Sequence, residues 1–200
     1  MRKFIVMDYA MENDMSRARQ RGSDPVQTLK DNLGVGAAVG AVGFIINYVL
    51  MYLFITIDGA ETGDEGWKLV GNVLYNAQFV DSELSGGGMS ISFNLITDSG
   101  SDIASTIPSF VYNLGPIIVL VAVGFFVAQQ AQAMDIGSSV AAAVSIVPGT
   151  LVLSIVGIFL FEYSEQGASA GPELMMGILF VGILLPAFAG AIGGAIADQV

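Results

Sequence analysis

Residues Gly34–Ile57, GVGAAVGAVGFIINYVLMYLFITI, run for 24 positions without a charged side chain. At ~1.5 Å of rise per residue, a helix of that length crosses a ~30 Å hydrocarbon core. Outward from this stretch, Ile107–Ala128, Ile136–Phe161 and Leu174–Ala197 repeat the pattern, again with no charge inside them. The expected fold is therefore an all-α membrane protein: a four-transmembrane-helix bundle with an N-terminal cytoplasmic helix and a small extracellular α/β loop element. The expected order is a cytoplasmic segment over 1–33, the first span over 34–57, an extracellular element over 58–106 and the second span over 107–128. A cytoplasmic loop over 129–135, the third span over 136–161, an extracellular loop over 162–173 and the fourth span over 174–197 complete it. The lipid bilayer is the first expected partner.

Composition narrows the chemistry. The chain has 200 residues, 54% of them hydrophobic, and a mean hydropathy of +0.69, which leaves room for one small element outside the spans. It contains no His and no Cys, so thiol chemistry, disulfides, histidine general bases and the usual zinc sites are absent. No span carries a charged group that would mark an ion path or a catalytic centre.

The net charge is −11, and its placement sets the expected topology. Arg2, Lys3, Arg17, Arg19, Arg21 and Lys30 all precede the first span, so the positive-inside rule puts both termini of a four-span chain in the cytoplasm. The extracellular side then holds eleven acids against Lys68 alone. Two readings fit that excess, a cation-attracting vestibule and adaptation of an exposed surface to high salt. The scatter of the carboxylates favours the second, and with a pI near 4.1 the chain looks like a protein of a halophilic archaeon. The run Phe4–Met7 is too short for a signal-peptide core, so no cleavage is expected there.

Residues 1–21 can be drawn as a helix with Phe4, Met7, Met11, Met15 and Ala18 on one face, or as a cytosolic tail. Asp24 followed by Pro25 then predicts a helix start, an acid at the N-cap before proline in the first turn. Small residues recur at four-residue spacing in three spans: Gly36 with Gly40, Ala141 with Ser145 and Gly149, and Gly190 with Gly194. These are the candidate helix-packing positions. Asn47 and Ser154 are the candidate polar groups of a bundle interior or a pore, with Asn47 expected to face the bundle or an oligomer axis because an unpaired amide at that depth is costly. Pro116, Pro148 and Pro186 predict kinks, sharpest at Pro148-Gly149.

The extracellular element reads as an amphipathic helix over Asp64–Val80, with Trp67 and Tyr75 suited to a membrane interface, ended by Gly86-Gly87-Gly88. The alternation Met89–Leu95 predicts a strand, whose partner lies within the loop or in a neighbouring protomer. Asp98 and Asp102 with Ser99 and Ser101 offer oxygen ligands but too few carboxylates for a calcium loop, so a solvated turn is expected and no metal is assigned. Neither a phosphate loop nor a basic-aromatic surface for nucleic acid is present.

The stretch Trp67–Val80, WKLVGNVLYNAQFV, in its four-span acidic context resembles a family of uncharacterised haloarchaeal four-span integral membrane proteins, whose members tend to carry His where Gln78 stands. The resemblance implies habitat and topology and assigns no activity. The function expected from the residues is that of a non-enzymatic structural or accessory membrane protein, without a cofactor, assembling through its small-residue helix faces as a homo-oligomer or with a membrane-protein partner. The alternative is an oligomeric channel or facilitator with a polar path near Asn47 under the acidic vestibule. An intramembrane enzyme ranks last, for want of paired acid–base groups.

Overall fold

A computed structural model of the chain describes residues 24–60, 63–98, 103–165 and 167–200. The helix drawn over residues 1–21 lies outside the described residues, as do Ser99, Ser101 and Asp102. Helix α1 (Pro25–Asp58) begins where Asp24 and Pro25 predict. The Asp24 carboxylate accepts from the N–H of Val26 at 3.0 Å and of Gln27 at 3.4 Å, supplying acceptors that the first turn lacks. The helix ends at Gly59, which adopts φ +74° so that its N–H can turn back to the Thr56 carbonyl.

Three further long helices follow: α3 (Ser109–Ala131), α4 (Ile136–Leu160) and α5 (Leu174–Ala197). All four are long and apolar enough to cross a membrane. Helix α1 packs against α3 and α4, and α5 packs against both of those in turn, which closes a four-helix bundle. The α-helical pattern of α4 breaks at Ser145–Ile146, just ahead of Pro148. There the Ser145 and Ile146 N–H groups bond only three residues back, to Ala142 and Ala143, because the proline ring crowds the preceding turn. In α5 the stretch Gly177–Leu184 is π-helical and runs up to Pro186.

One end of the bundle carries everything else. Helix α2 (Gly66–Ala77) lies across it, and a four-stranded antiparallel sheet covers α2. The strands β1 (Ser82–Gly86), β2 (Met89–Phe93), β3 (Tyr163–Glu165) and β4 (Ala168–Pro172) stand in the order β2-β1-β4-β3, with Leu84 opposite Ile91 on one side and Ala170 on the other. The sequence reading found β2 alone. Its partner β1 comes from the same loop, and Gly86-Gly87-Gly88 closes the hairpin between them, with Gly87 and Gly88 at φ +61° and +82° as a two-residue turn of this kind requires. The loop over 162–173, read as a plain connection, supplies the other hairpin.

The surroundings of α2 also differ from expectation. Val70 to Ala77 are all buried, because the bundle covers one side of the helix and the sheet the other, so Tyr75 sits at 0% exposure instead of at an interface. Trp67, in the first turn, keeps 42% of its surface.

Candidate functional site

The polar side chains of α2 form the densest buried network. Asn72 donates through Nδ2 to the carbonyls of Lys68 and Phe161, both at 3.0 Å, and its Oδ1 accepts from Ser82 Oγ at 2.9 Å. One turn later Asn76 donates to the Val80 carbonyl at 2.9 Å and to Ser82 Oγ at 3.2 Å, while its Oδ1 accepts the Leu95 N–H at 2.8 Å. Two asparagines thus tie together α2, the end of α4, the start of β1 and the segment after β2. Such groups tolerate burial only when fully paired, and these are. Gly71 makes the approach possible, since a Cβ there would lie 2.0 Å from the Phe161 ring.

Tyr75 carries the network into the bundle. Its Oη donates to the Ser154 carbonyl at 2.5 Å, and burial drives the phenol well above its ordinary pKa, with the Ser154 bond acting in the opposite sense. Ser154 in turn donates through Oγ to the Gly177 carbonyl at 2.8 Å, and Thr150 shares its one hydroxyl proton between the Val147 carbonyl of its own helix at 2.9 Å and the Gly182 carbonyl at 3.1 Å. The geometry has a simple origin. Thr150 and Ser154 stand one α-turn apart on α4, and the two carbonyls they meet stand one wider π-turn apart on α5. Pro186 cannot donate to Gly182 four residues back, so the Thr150 hydroxyl supplies a donor there.

Of the candidate polar residues, Ser154 is therefore fully engaged inside the chain. Asn47 is not. It is 1% exposed, on the inward face of α1 between Gly43 and Met51, and its Oδ1 is the one buried side-chain polar atom without a partner among the described residues.

The candidate packing residues are spent within the chain. A Cβ at Gly36 would lie 1.8 Å from Ser145 Oγ, one at Gly40 2.1 Å from the Ile146 carbonyl oxygen, and one at Gly149 1.8 Å from the Ala37 carbonyl oxygen. Across the bundle, Gly190 lies against Gly124 and Ala143, and Gly194 against Ser139 and Val140. Ala141 is half-buried, whereas its neighbours Ala142 and Ala143 are fully buried.

Asp58 is a structural residue that sequence reasoning counted only among the loop acids. At the last position of α1 it accepts from Ala104 N at 2.8 Å, Thr106 N at 2.9 Å, Ile107 N at 2.7 Å and Tyr112 Oη at 2.5 Å, which pins the entry of α3 to the exit of α1. The signal available was an acid closing an apolar run, followed by glycine. Asp98 accepts from Asn94 N at 2.7 Å, which fixes a turn, and no group of three or more metal-ligating side chains occurs among the described residues.

A bundle of four apolar helices, capped at one end by a buried helix and an antiparallel sheet, defines the class. The chain belongs to the family of unknown function DUF7978, whose model matches residues 15–200. No curated protein and no solved structure matches it.

Proposed function

We propose that this chain is a non-enzymatic structural or accessory membrane protein, spanning the bilayer four times with both termini cytoplasmic and the sheet outside. It acts by presenting that sheet for assembly with a second copy of itself. The observation that supports this reading is the free edge of β2. All but the last of its residues are exposed, and Leu84, Met89 and Ile91 stand on one face at 44%, 71% and 57% exposure beside an edge that, among the described residues, pairs on one side only. Open edges with apolar side chains invite another strand unless something covers them. The small-residue faces, occupied inside the protomer, are left out of this assembly. The acidic outer surface suits a high-salt habitat such as that of a halophilic archaeon.

The test is the mass of the complex extracted in mild detergent at high salt. A dimer that Ile91→Lys converts to monomer supports the reading, and a monomeric wild type overturns it. A second reading, an oligomeric channel or facilitator, rests on the unpaired amide oxygen of Asn47. It requires ion or solute flux in reconstituted vesicles that Asn47→Leu changes.

A further inference from the structure

A cleft of about 310 Å³ opens on the flank of the bundle between α1, α2 and α4, at the end that carries the sheet. One wall is aromatic and fixed. Tyr48 and Phe161 stack at 5.5 Å with 9° between their planes, and Trp67 meets Phe161 edge-on at 6.2 Å. The Tyr48 hydroxyl donates to the Trp67 carbonyl at 3.0 Å, and Asn72 holds the Phe161 carbonyl from behind. Gly157 lets Tyr75 and Phe161 close onto α4 behind the cleft, since a Cβ there would lie 2.7 Å from Tyr75 Oη and 3.1 Å from the Phe161 ring. The rim is aliphatic and open, with Ile45 at 54% exposure and Leu160 at 51%.

Lys68 follows Trp67 directly. Its Nζ lies 5.5 Å from the centre of the Trp67 ring, 5.1 Å from that of Tyr163 and 3.0 Å from Glu65 Oε1. Among the described residues it is the only cation at this end of the bundle, amid Asp58, Asp64, Asp81, Glu83, Glu162 and others. Lys68, its side chain 16% exposed, is therefore the one cation that an anion can meet on this surface among the described residues. Glu65 engages one of its three N–H groups, and the rings of Trp67 and Tyr163 flank the ammonium.

We propose that the cleft binds one phospholipid, with an acyl chain along Tyr48, Phe161 and Ile45 and the headgroup phosphate on Lys68. This inference rests on the membrane-spanning part of the reading above, and not on the sheet-edge assembly. In a bilayer the open flank of the cleft faces hydrocarbon, so its occupant is an acyl chain and not water or a polar segment. Tyrosine and tryptophan at the mouth match the depth at which chain gives way to headgroup. The wall is already ordered by stacking and hydrogen bonds, so little freedom is lost on binding.

The experiment uses the full chain in mild detergent. Native mass spectrometry of the wild type is expected to show one adduct of phospholipid mass per chain. After delipidation, phosphatidylglycerol is expected to raise the melting temperature. Lys68→Ala weakens this binding about fivefold, the scale of one lysine near a membrane surface, Lys68→Arg retains it, and Ile45→Trp, which fills the cleft from its exposed rim, abolishes it. Melting of each variant without lipid shows whether it folds, and Lys68→Arg keeps the test open if Lys68→Ala does not. An adduct that survives equally in all variants, a wild type without one, or an equal stabilisation by glycerophosphoglycerol lacking acyl chains each overturns the proposal. A chain recovered in aqueous buffer without detergent would instead sink the membrane-spanning reading itself.

Discussion

The two ends of the bundle are held together by opposite means. Away from the sheet, helices meet backbone to backbone. Gly36 and Gly40 of α1 lie against Ser145 and Ile146, Gly193 of α5 against the Val121 carbonyl, and a compact cluster of Leu120, Val123, Val127, Ile146, Leu185 and Ala189 fills the remainder. At the sheet end large side chains fill the space around α2: Phe44, Tyr75, Tyr112 and Phe161 in ring contacts, with Asn72, Asn76 and Asp58 bonding to the backbone around them. The difference reflects what each end must satisfy. Away from the sheet the backbone groups are spent within each helix, even at the Ser145–Ile146 break, so close packing of small residues is enough. Irregular chain with buried N–H and carbonyl groups needs side-chain partners, and α2 provides them.

The contrast can be broken from either side. The largest effect is expected at the tight end. Gly40→Leu drives a side chain into the Ile146 backbone, where even a Cβ would stand 2.1 Å from the carbonyl oxygen. A cost of about 3 kcal/mol or more, read as loss of a monodisperse folded species in detergent, is the expected outcome. If Gly40→Leu folds normally, the backbone approach is not what holds this end.

Next comes the sheet end. Asn72→Ala leaves the Phe161 carbonyl and Ser82 Oγ short of a partner and should cost about 2 kcal/mol, seen as a lower melting temperature and faster amide exchange in β1 before the long helices exchange. Simultaneous loss of protection in both regions would show that they fold as one unit.

Tyr75→Phe removes a single bond to Ser154 and should cost about 1 kcal/mol. It also carries a pH signature. The folded phenol has its pKa raised above the unfolded value of 10.0, so its contribution is fully present below that value and is lost as pH rises through the folded pKa. Wild-type stability should therefore fall above pH 10.0 more steeply than that of Tyr75→Phe. Parallel curves would mean that Tyr75 is not shielded from water.

The smallest effect, and one of opposite sign, is expected at Asn47, between the two regions. Asn47→Leu removes a buried oxygen that has no partner, so it should be neutral or stabilising by ~1 kcal/mol. A clear loss of stability would mean that the Asn47 amide finds its partner in a second chain or a trapped water.

How much of this was legible follows from where each signal sits in the chain. The helix start at Asp24–Pro25 could be read because capping is local, and the four long helices because they are uninterrupted apolar runs. The break in the helical pattern of α4 was readable to within a few residues, since Pro148 names the turn it disrupts. The hairpin β1–β2 left a two-glycine turn that reads as one only once Ser82–Gly86 is taken as a strand, and the half of the sheet formed by β3 and β4 left almost nothing. Their short strands, Tyr-Ser-Glu and Ala-Ser-Ala-Gly-Pro, lack the alternation that marks a buried face. Ser154 and Asn47 are equally polar residues in equally apolar runs, and no periodicity distinguishes the paired one from the unpaired one.

The sequence by itself therefore determined the elements whose causes are local: apolar length, caps, breakers and the distribution of charge. Only the tertiary structure decided which surfaces those elements spend on one another. It turned Gly36, Gly40 and Gly149 inward against the backbone of the same chain, buried an amphipathic helix on both sides, and made Asp58 the latch between two helices whose facing positions lie more than forty residues apart. Those choices depend on distances across the bundle, which separation along the chain does not encode.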